Sequence, residues 1–265
     1  MLSAALALAL LGAAPEPPLP EGNAYVKTLV ARHKLREEAL DRYTYEVEQL
    51  VEELDGEGKV ASRKLRRYEV FYVRGRPVRK LVAEDGRPLP PGEREAEERR
   101  VGRKVGDLVD ERVVFEDAEV RLSAILERYD FRTVRREELD GWPALVLEFA
   151  ARPGKRDLDG DAVLRHLAGR IWVDETEGEV VRAEVRNAST IKLALGVGAS
   201  IAALEMTLDF RRIEDGLWMP ARAEALAEGR ILLLKSFRGR STTIFSRFRR
   251  FEATSEERVQ GPASR

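Results

Sequence analysis

From Tyr43 onward the chain alternates apolar and polar side chains with a period of two. Tyr43, Tyr45 and Val47 take one parity and Thr44, Glu46 and Glu48 the other, which predicts a strand with one buried and one wet face. Asp55-Gly56-Glu57-Gly58 predicts a hairpin onto a strand over Lys59 to Val73, and a further strand, Val78 to Ala83, turns at Asp85-Gly86. The pattern resumes with Phe131 to Glu138, which turns at Asp140-Gly141 into Ala144 to Ala151. A short helix over Asp161 to Ala168 leads to strands over Arg170 to Asp174 and from Glu179. Leu204, Met206, Leu208 and Phe210 alternate with Glu205, Thr207, Asp209 and Arg211, the cleanest amphipathic strand in the sequence. Asp215-Gly216, Glu228-Gly229 and Arg238-Gly239 punctuate three more, and Pro220 marks an edge or a bulge.

Two stretches follow a helical period instead. Asn23 can cap a helix to about Leu40 that places Val26, Leu29, Val30 and His33 on one face. A second helix starts at Asp117, with Leu122, Ile125, Leu126 and Tyr129 at i, i+3, i+4 and i+7. Between the first strands and this helix, Pro88, Pro90 and Pro91 break the alternation. Residues 92–104 are then almost wholly Glu and Arg, readable as a surface helix with i,i+4 ion pairs or as a mobile excursion.

The pattern therefore predicts a mainly β (α+β) fold. A sheet of about ten or eleven twisted antiparallel strands curls rather than staying flat. The expected architecture is a strongly curved, incomplete antiparallel β-barrel with helices covering its concave, apolar face. Residues 23–252 form one domain, and 253–265 are a polar, disordered tail. Ahead of the domain lie a signal peptide over 1–14 and a Pro-rich linker over 15–22. Ala4 to Leu11 is an uncharged apolar run, too short to span a bilayer, and small residues at Ala13 and Ala14 suit cleavage. The product is expected to be exported and soluble in the periplasm, as a monomer.

Composition narrows the chemistry. The 265 residues carry 46 basic and 47 acidic side chains, a balance that argues against nucleic acid as a partner. Arginines outnumber lysines, but they are interleaved with glutamates, as on solvated faces. With 0 cysteines there is no disulfide framework, cysteine nucleophile, zinc ribbon or lipid-attachment cysteine. The 2 histidines, His33 and His166, are far apart in sequence. Gly196-Val197-Gly198-Ala199-Ser200 lacks the glycine and lysine that a phosphate cradle needs. Asp157-Leu158-Asp159-Gly160-Asp161 resembles a calcium loop only briefly: Ala162 stands where that loop requires glycine, and Ala168 where it requires glutamate. Adjacent carboxylates such as Glu137-Glu138 point to opposite faces of a strand and do not converge. No catalytic residue, metal site or cofactor is expected.

Three stretches carry a family resemblance. Leu167-Ala168-Gly169-Arg170-Ile171-Trp172-Val173-Asp174, then Glu179-Val180-Val181-Arg182-Ala183-Glu184, then Glu214-Asp215-Gly216-Leu217-Trp218-Met219-Pro220 resemble bacterial envelope proteins of the LolA-like, lipoprotein-sorting group. The Arg74-Gly75-Arg76-Pro77-Val78 and Asp85-Gly86-Arg87-Pro88-Leu89 stretches are similar too, so the match spans most of residues 24–252. The resemblance implies a curved, incomplete barrel whose mouth helices cover. It also implies acyl-chain carriage in the periplasm, or, in a related branch, sensing of envelope stress through a transmembrane regulator.

Patterning and resemblance together lead to a carrier that holds a lipid or a lipoprotein acyl chain on the concave face. An acyl chain of about sixteen carbons would contribute on the order of 12 kcal/mol gross on burial. The inward residues expected to form the cavity are Leu145, Leu147, Phe149, Trp172, Val181, Val185, Leu204, Met206, Leu208 and Phe210. The alternative is an interaction or stress-sensing module of the same fold, which reads envelope membrane proteins through the charged stretch Glu93 to Lys104 and transports nothing.

Overall fold

The computed structural model describes residues 16–40, 42–74, 76–110, 126–152, 161–193, 198–214, 216–231 and 235–250. The expected signal peptide and tail, the expected helix from Asp117 as far as residue 125, and residues 157–160 lie outside the described residues.

Among the described residues, three helices, α1 (Gly22–Leu40), α2 (Pro91–Val109) and the short α3 (Asp161–Leu164), accompany twelve strands. The first meander is β1 (Tyr43–Leu54), β2 (Val60–Val73), β3 (Arg76–Glu84) and β4 (Arg87–Pro88). The second is β5 (Tyr129–Leu139), β6 (Trp142–Ala151), β7 (Leu167–Asp174), β8 (Val180–Asn187), β9 (Ile191–Leu193), β10 (Ala199–Arg212), β11 (Trp218–Ile231) and β12 (Lys235–Arg250). The short β4 and β9 account for the difference from the expected ten or eleven. Leu167 and Ala168, expected in a helix, open β7.

All strands belong to one sheet, in the order β4-β3-β2-β1-β12-β11-β10-β8-β7-β6-β5, with β9 on β10. Every pairing is antiparallel. The seam between the two meanders is β1 on β12, in register from Tyr43↔Arg250 to Glu53↔Gly239. The sheet does not close on itself, because β4 and β5 are both terminal in the order. It is an incomplete barrel, bent by bulges such as those between Trp172 and Val173 and between Asp209 and Phe210. Pro220 lies opposite the second of these, inside a strand paired on both sides. Asp85-Gly86 and Asp140-Gly141 have positive φ at both residues (47° and 76°, 51° and 86°), as tight two-residue hairpins require. Gly169 has a different reason: a Cβ there would run into the Glu184 carbonyl oxygen and the Phe149 ring.

Cross-strand pairing carries single rows of side chains from one meander to the other. Leu147, Ile171, Ala183, Leu208, Ala223 and Thr243 follow one another on one face. On this face α1 packs: Val26, Leu29 and Val30 meet Leu145, Leu147, Phe149, Ile171 and Val173 in one buried cluster. Further along, Tyr45, Val47, Val70, Met219 and Phe245 form a second. The opposite face is charged where it is widest. Arg132 lies 2.5 Å from Glu148, Arg170 lies 3.5 Å from the same carboxylate, and Glu184 is next in register to Arg170. Part of the arginine-rich composition thus lies beside glutamates on this face.

Both free edges are answered by helix residues. At the β5 edge, the Phe131 N–H donates to the Asn23 carboxamide oxygen (2.8 Å). The expected cap role of Asn23 passes to Glu21, whose carboxylate accepts from the N–H groups of Asn23 (3.1 Å) and Ala24 (2.6 Å). At the other side, α2 begins with Pro91 at its first turn and runs along β3. Glu97 accepts from the Leu81 N–H (2.7 Å) while Arg100 donates to the Arg79 carbonyl (2.5 Å), and Glu97 and Arg100 pair with each other at 2.8 Å. One Glu–Arg pair thereby supplies the acceptor and the donor that a neighbouring strand would have offered. The charged stretch over 92–104 is a helix that covers an edge which would otherwise template aggregation.

The Arg100 hydrogen bond, reinforced by the Leu81 N–H and opposed by partial burial, holds the Glu97 carboxyl below its ordinary value of 4.5. The stabilisation is therefore present above that value and is lost as the pH falls through the lower folded one. Glu97→Gln should destabilise the protein at pH 7 by about 1.5–3 kcal/mol in denaturant titrations and increase its aggregation. The gap to wild type should narrow below pH 4.5; a gap independent of pH would contradict the edge role.

Candidate functional site

The ten residues expected to line a cavity fall into different environments. Leu145, Leu147 and Phe149 are buried on β6, at 1%, 0% and 7% exposure, beneath α1. Their partners are the chain's own side chains. Tyr129 closes the same cluster, its ring edge-on to Phe149 with centroids 4.9 Å apart and its hydroxyl donating to the Leu164 carbonyl at 2.7 Å. Val185 and Phe210 pack at the margin of this cluster.

Trp172 and Val181 belong elsewhere. They join Ala144, Val146, Leu139 and Trp218 on the other face of the sheet. Trp172 follows from alternation, since Ile171 and Val173 point towards α1. Val181 does not: a bulge pairs Val173 with Val180 and Trp172 with Arg182, so the parity set by Ala183 and Val185 fails one step earlier. The indole N–H of Trp172 donates to Glu137, and that of Trp218 to Glu177 at 2.7 Å. Trp142 meets Trp218 edge-on with centroids 5.4 Å apart. All three tryptophans therefore gather at one patch away from α1, a convergence that their sequence separation conceals.

The remaining three, Leu204, Met206 and Leu208, share one parity of β10 and are half-buried. Val185 and Leu208's partner Ala183 flank them on β8. Ala227, Ala225 and Ala223 stand opposite them on β11, one for one. The result is an apolar strip bordered by methyl groups, with Ala183 and Val185 packed against the cluster under α1 and Leu208 and Ala223 against the aromatic cluster on β1, β2 and β12. The alanines were legible as an alternation with Arg222, Glu224, Leu226 and Glu228, but small side chains give no sign of a groove until their neighbours are known.

The histidines do not meet. His33 is buried on α1, whereas the His166 imidazole shares a hydrogen bond with the Ser189 hydroxyl (Nδ1 to Oγ, 2.7 Å). Burial, then the Arg165 charge, lowers the His166 pKa. Among the described residues no cluster of His, Asp and Glu could hold a metal ion, and no helix is long and apolar enough to cross a membrane.

Burial also pushes the Tyr129 hydroxyl up from 10.0 to about 12. Its contribution is fully present below pH 10 and is lost as the pH rises towards 12. Tyr129→Phe leaves the Leu164 carbonyl without its donor and should cost about 1–3 kcal/mol at neutral pH. Thermal melts should show the wild-type advantage vanishing across that alkaline window; an advantage that persists above it would contradict the buried hydroxyl.

No family model matches the chain, and no curated protein does. Among solved structures it is similar to an outer membrane lipoprotein-sorting protein domain from Vibrio parahaemolyticus, with 12% identity and a TM-score of 0.40 over 87% of this chain and 95% of that one. A DUF1329 family protein from Desulfovibrio piger matches at 15% identity and a TM-score of 0.38, over 87% and 95% of the two chains. Pseudomonas aeruginosa MucB, in complex with MucA, matches at 12% identity and a TM-score of 0.23, over 84% of this chain and 99% of that one.

Proposed function

We propose that the chain is a non-enzymatic envelope protein, exported to the periplasm, that holds a hydrophobic ligand such as a lipoprotein acyl chain on the half-covered strip of β10 and β11. The observation that carries this reading is the unequal cover of one apolar face. Leu145, Leu147 and Phe149 are saturated by α1, whereas Leu204, Met206 and Leu208 keep part of their surface free over a row of alanines.

A hydrocarbon chain lying across this strip removes apolar surface from water on both partners. Each methylene fully covered contributes about 0.8 kcal/mol, and a shallow strip covers each one only in part. Ordering of the ligand reduces the net further, which suits a carrier that must release what it holds. The protein's own core is already filled by α1, so loading need not unpack it. The second reading, a partner-reading module built on Glu93 to Lys104, is weakened because Glu97 and Arg100 are engaged on the β3 edge.

Native mass spectrometry of protein purified from the envelope should show a co-bound acyl species. Met206→Glu places a charge in the strip and should remove that species while leaving the melting temperature within a few degrees of wild type. Leu147→Glu, by contrast, should unfold the domain. Repeatedly ligand-free wild-type spectra would overturn the carrier reading.

A further inference from the structure

At one end of the sheet, basic side chains gather around a single cavity. Where β12 ends, β1 begins and β10 turns into β11, a pocket of about 530 Å³ is lined by Arg211, Arg212 and Arg250 together with Tyr43, Phe248 and Ile213. Arg212 is paired with Glu177 at 2.8 Å. Arg211 stacks on the Phe248 ring, its guanidinium carbon 5.6 Å from the centroid, and donates to the Phe245 carbonyl at 3.5 Å. Among the described residues, Arg250 has no carboxylate partner and the lining carries one acid, the exposed Glu214.

We infer that this pocket binds an organic phosphate. Two guanidiniums without carboxylate partners among the described residues border one cavity. A carboxylate offers two oxygens and is satisfied by a single fork, whereas a phosphate group offers enough terminal oxygens for both. A phosphate monoester also carries a charge of about −1.5 to −2 at neutral pH, which answers two cations. The cavity lies in the size range of small-molecule sites and is too roomy for a bare phosphate ion. Tyr43, Phe248 and Ile213 give the ester's organic part an apolar wall. Stacking on Phe248 restrains the Arg211 fork before any ligand arrives, and that lowers the ordering cost of binding. The site is separate from the β10 strip and does not depend on it.

Calorimetric titration at low ionic strength tests the assignment, with glycerol 1-phosphate and inorganic phosphate as soluble probes. Co-sedimentation with phosphatidylcholine vesicles, with and without phosphatidic acid, tests the same group on a lipid. Glycerol 1-phosphate should bind more tightly than inorganic phosphate, and Arg250→Gln or Arg211→Gln should each weaken it about tenfold. Arg230→Gln, at the far end of β11, should leave binding unchanged. Binding of the soluble ester, lost in the pocket variants, identifies a free organophosphate site. Arginine-dependent binding only to phosphatidic acid vesicles identifies a lipid headgroup as the source of the same phosphate. Absence of binding to every probe, or equal loss in Arg230→Gln, overturns the inference. Arg250 is exposed at a strand end, so Arg250→Gln keeps the test valid should the Arg211 variant fail to fold.

Discussion

An open sheet has two edges with unsatisfied backbone groups and one face that must be kept dry, and this molecule is organised by how it meets that constraint. The seam of β1 on β12 joins the two meanders into a single twelve-stranded surface. The edges this leaves at β3–β4 and β5 are then supplied with side-chain donors and acceptors from α2 and from the start of α1. Because α1 and α2 sit at the edges, neither covers the middle of this face. Cover by α1 extends over β5 to β8, with Phe210 of β10 at its margin, and Leu204 and Met206 lie outside that cluster. The proposed binding surface is in this sense a consequence of edge protection.

The two faces divide the chemistry. On the α1 face, pairing aligns apolar rows across strands that are distant in sequence, and large side chains fill the space under the helix. On the other face the same register sets arginine against glutamate, so that a chain with 35% charged residues is solvated without a net field. The tryptophan patch interrupts that face at one end, with two of its indole donors satisfied by Glu137 and Glu177. At the basic pocket, Arg250 stands across the seam from Tyr43 and not from a carboxylate.

Much of the fold was legible in the sequence. Period-two alternation located the long strands, and Asp-Gly pairs located two of their turns, because positive φ at both residues leaves few other choices. What alternation alone could not supply was the phase after each irregularity. A single bulge at Val180 and Val181 sent Val181 to the tryptophan side, although it shares parity with Ala183 and Val185. Nor could patterning say which half of an apolar face a helix would occupy. Leu145 and Leu208 look alike in sequence, but only the first lies under α1, a fact fixed by the long-range bond from Phe131 to Asn23. The Glu/Arg stretch was readable as a helix, but its task depended on the backbone groups of Arg79 and Leu81, which no side-chain pattern records. The phosphate pocket was hidden for the same reason: Tyr43, Arg211 and Arg250 come together only through the seam.

The central claim is that hydrocarbon lies on the strip and not beneath α1. Methyl NMR with a spin-labelled fatty acid tests it most directly. The account predicts selective broadening of the Met206, Leu204, Leu208 and Ala225 methyl signals, with Leu145 and Leu147 unaffected. Broadening centred on Leu145 and Leu147, or spread evenly over the surface, would contradict it.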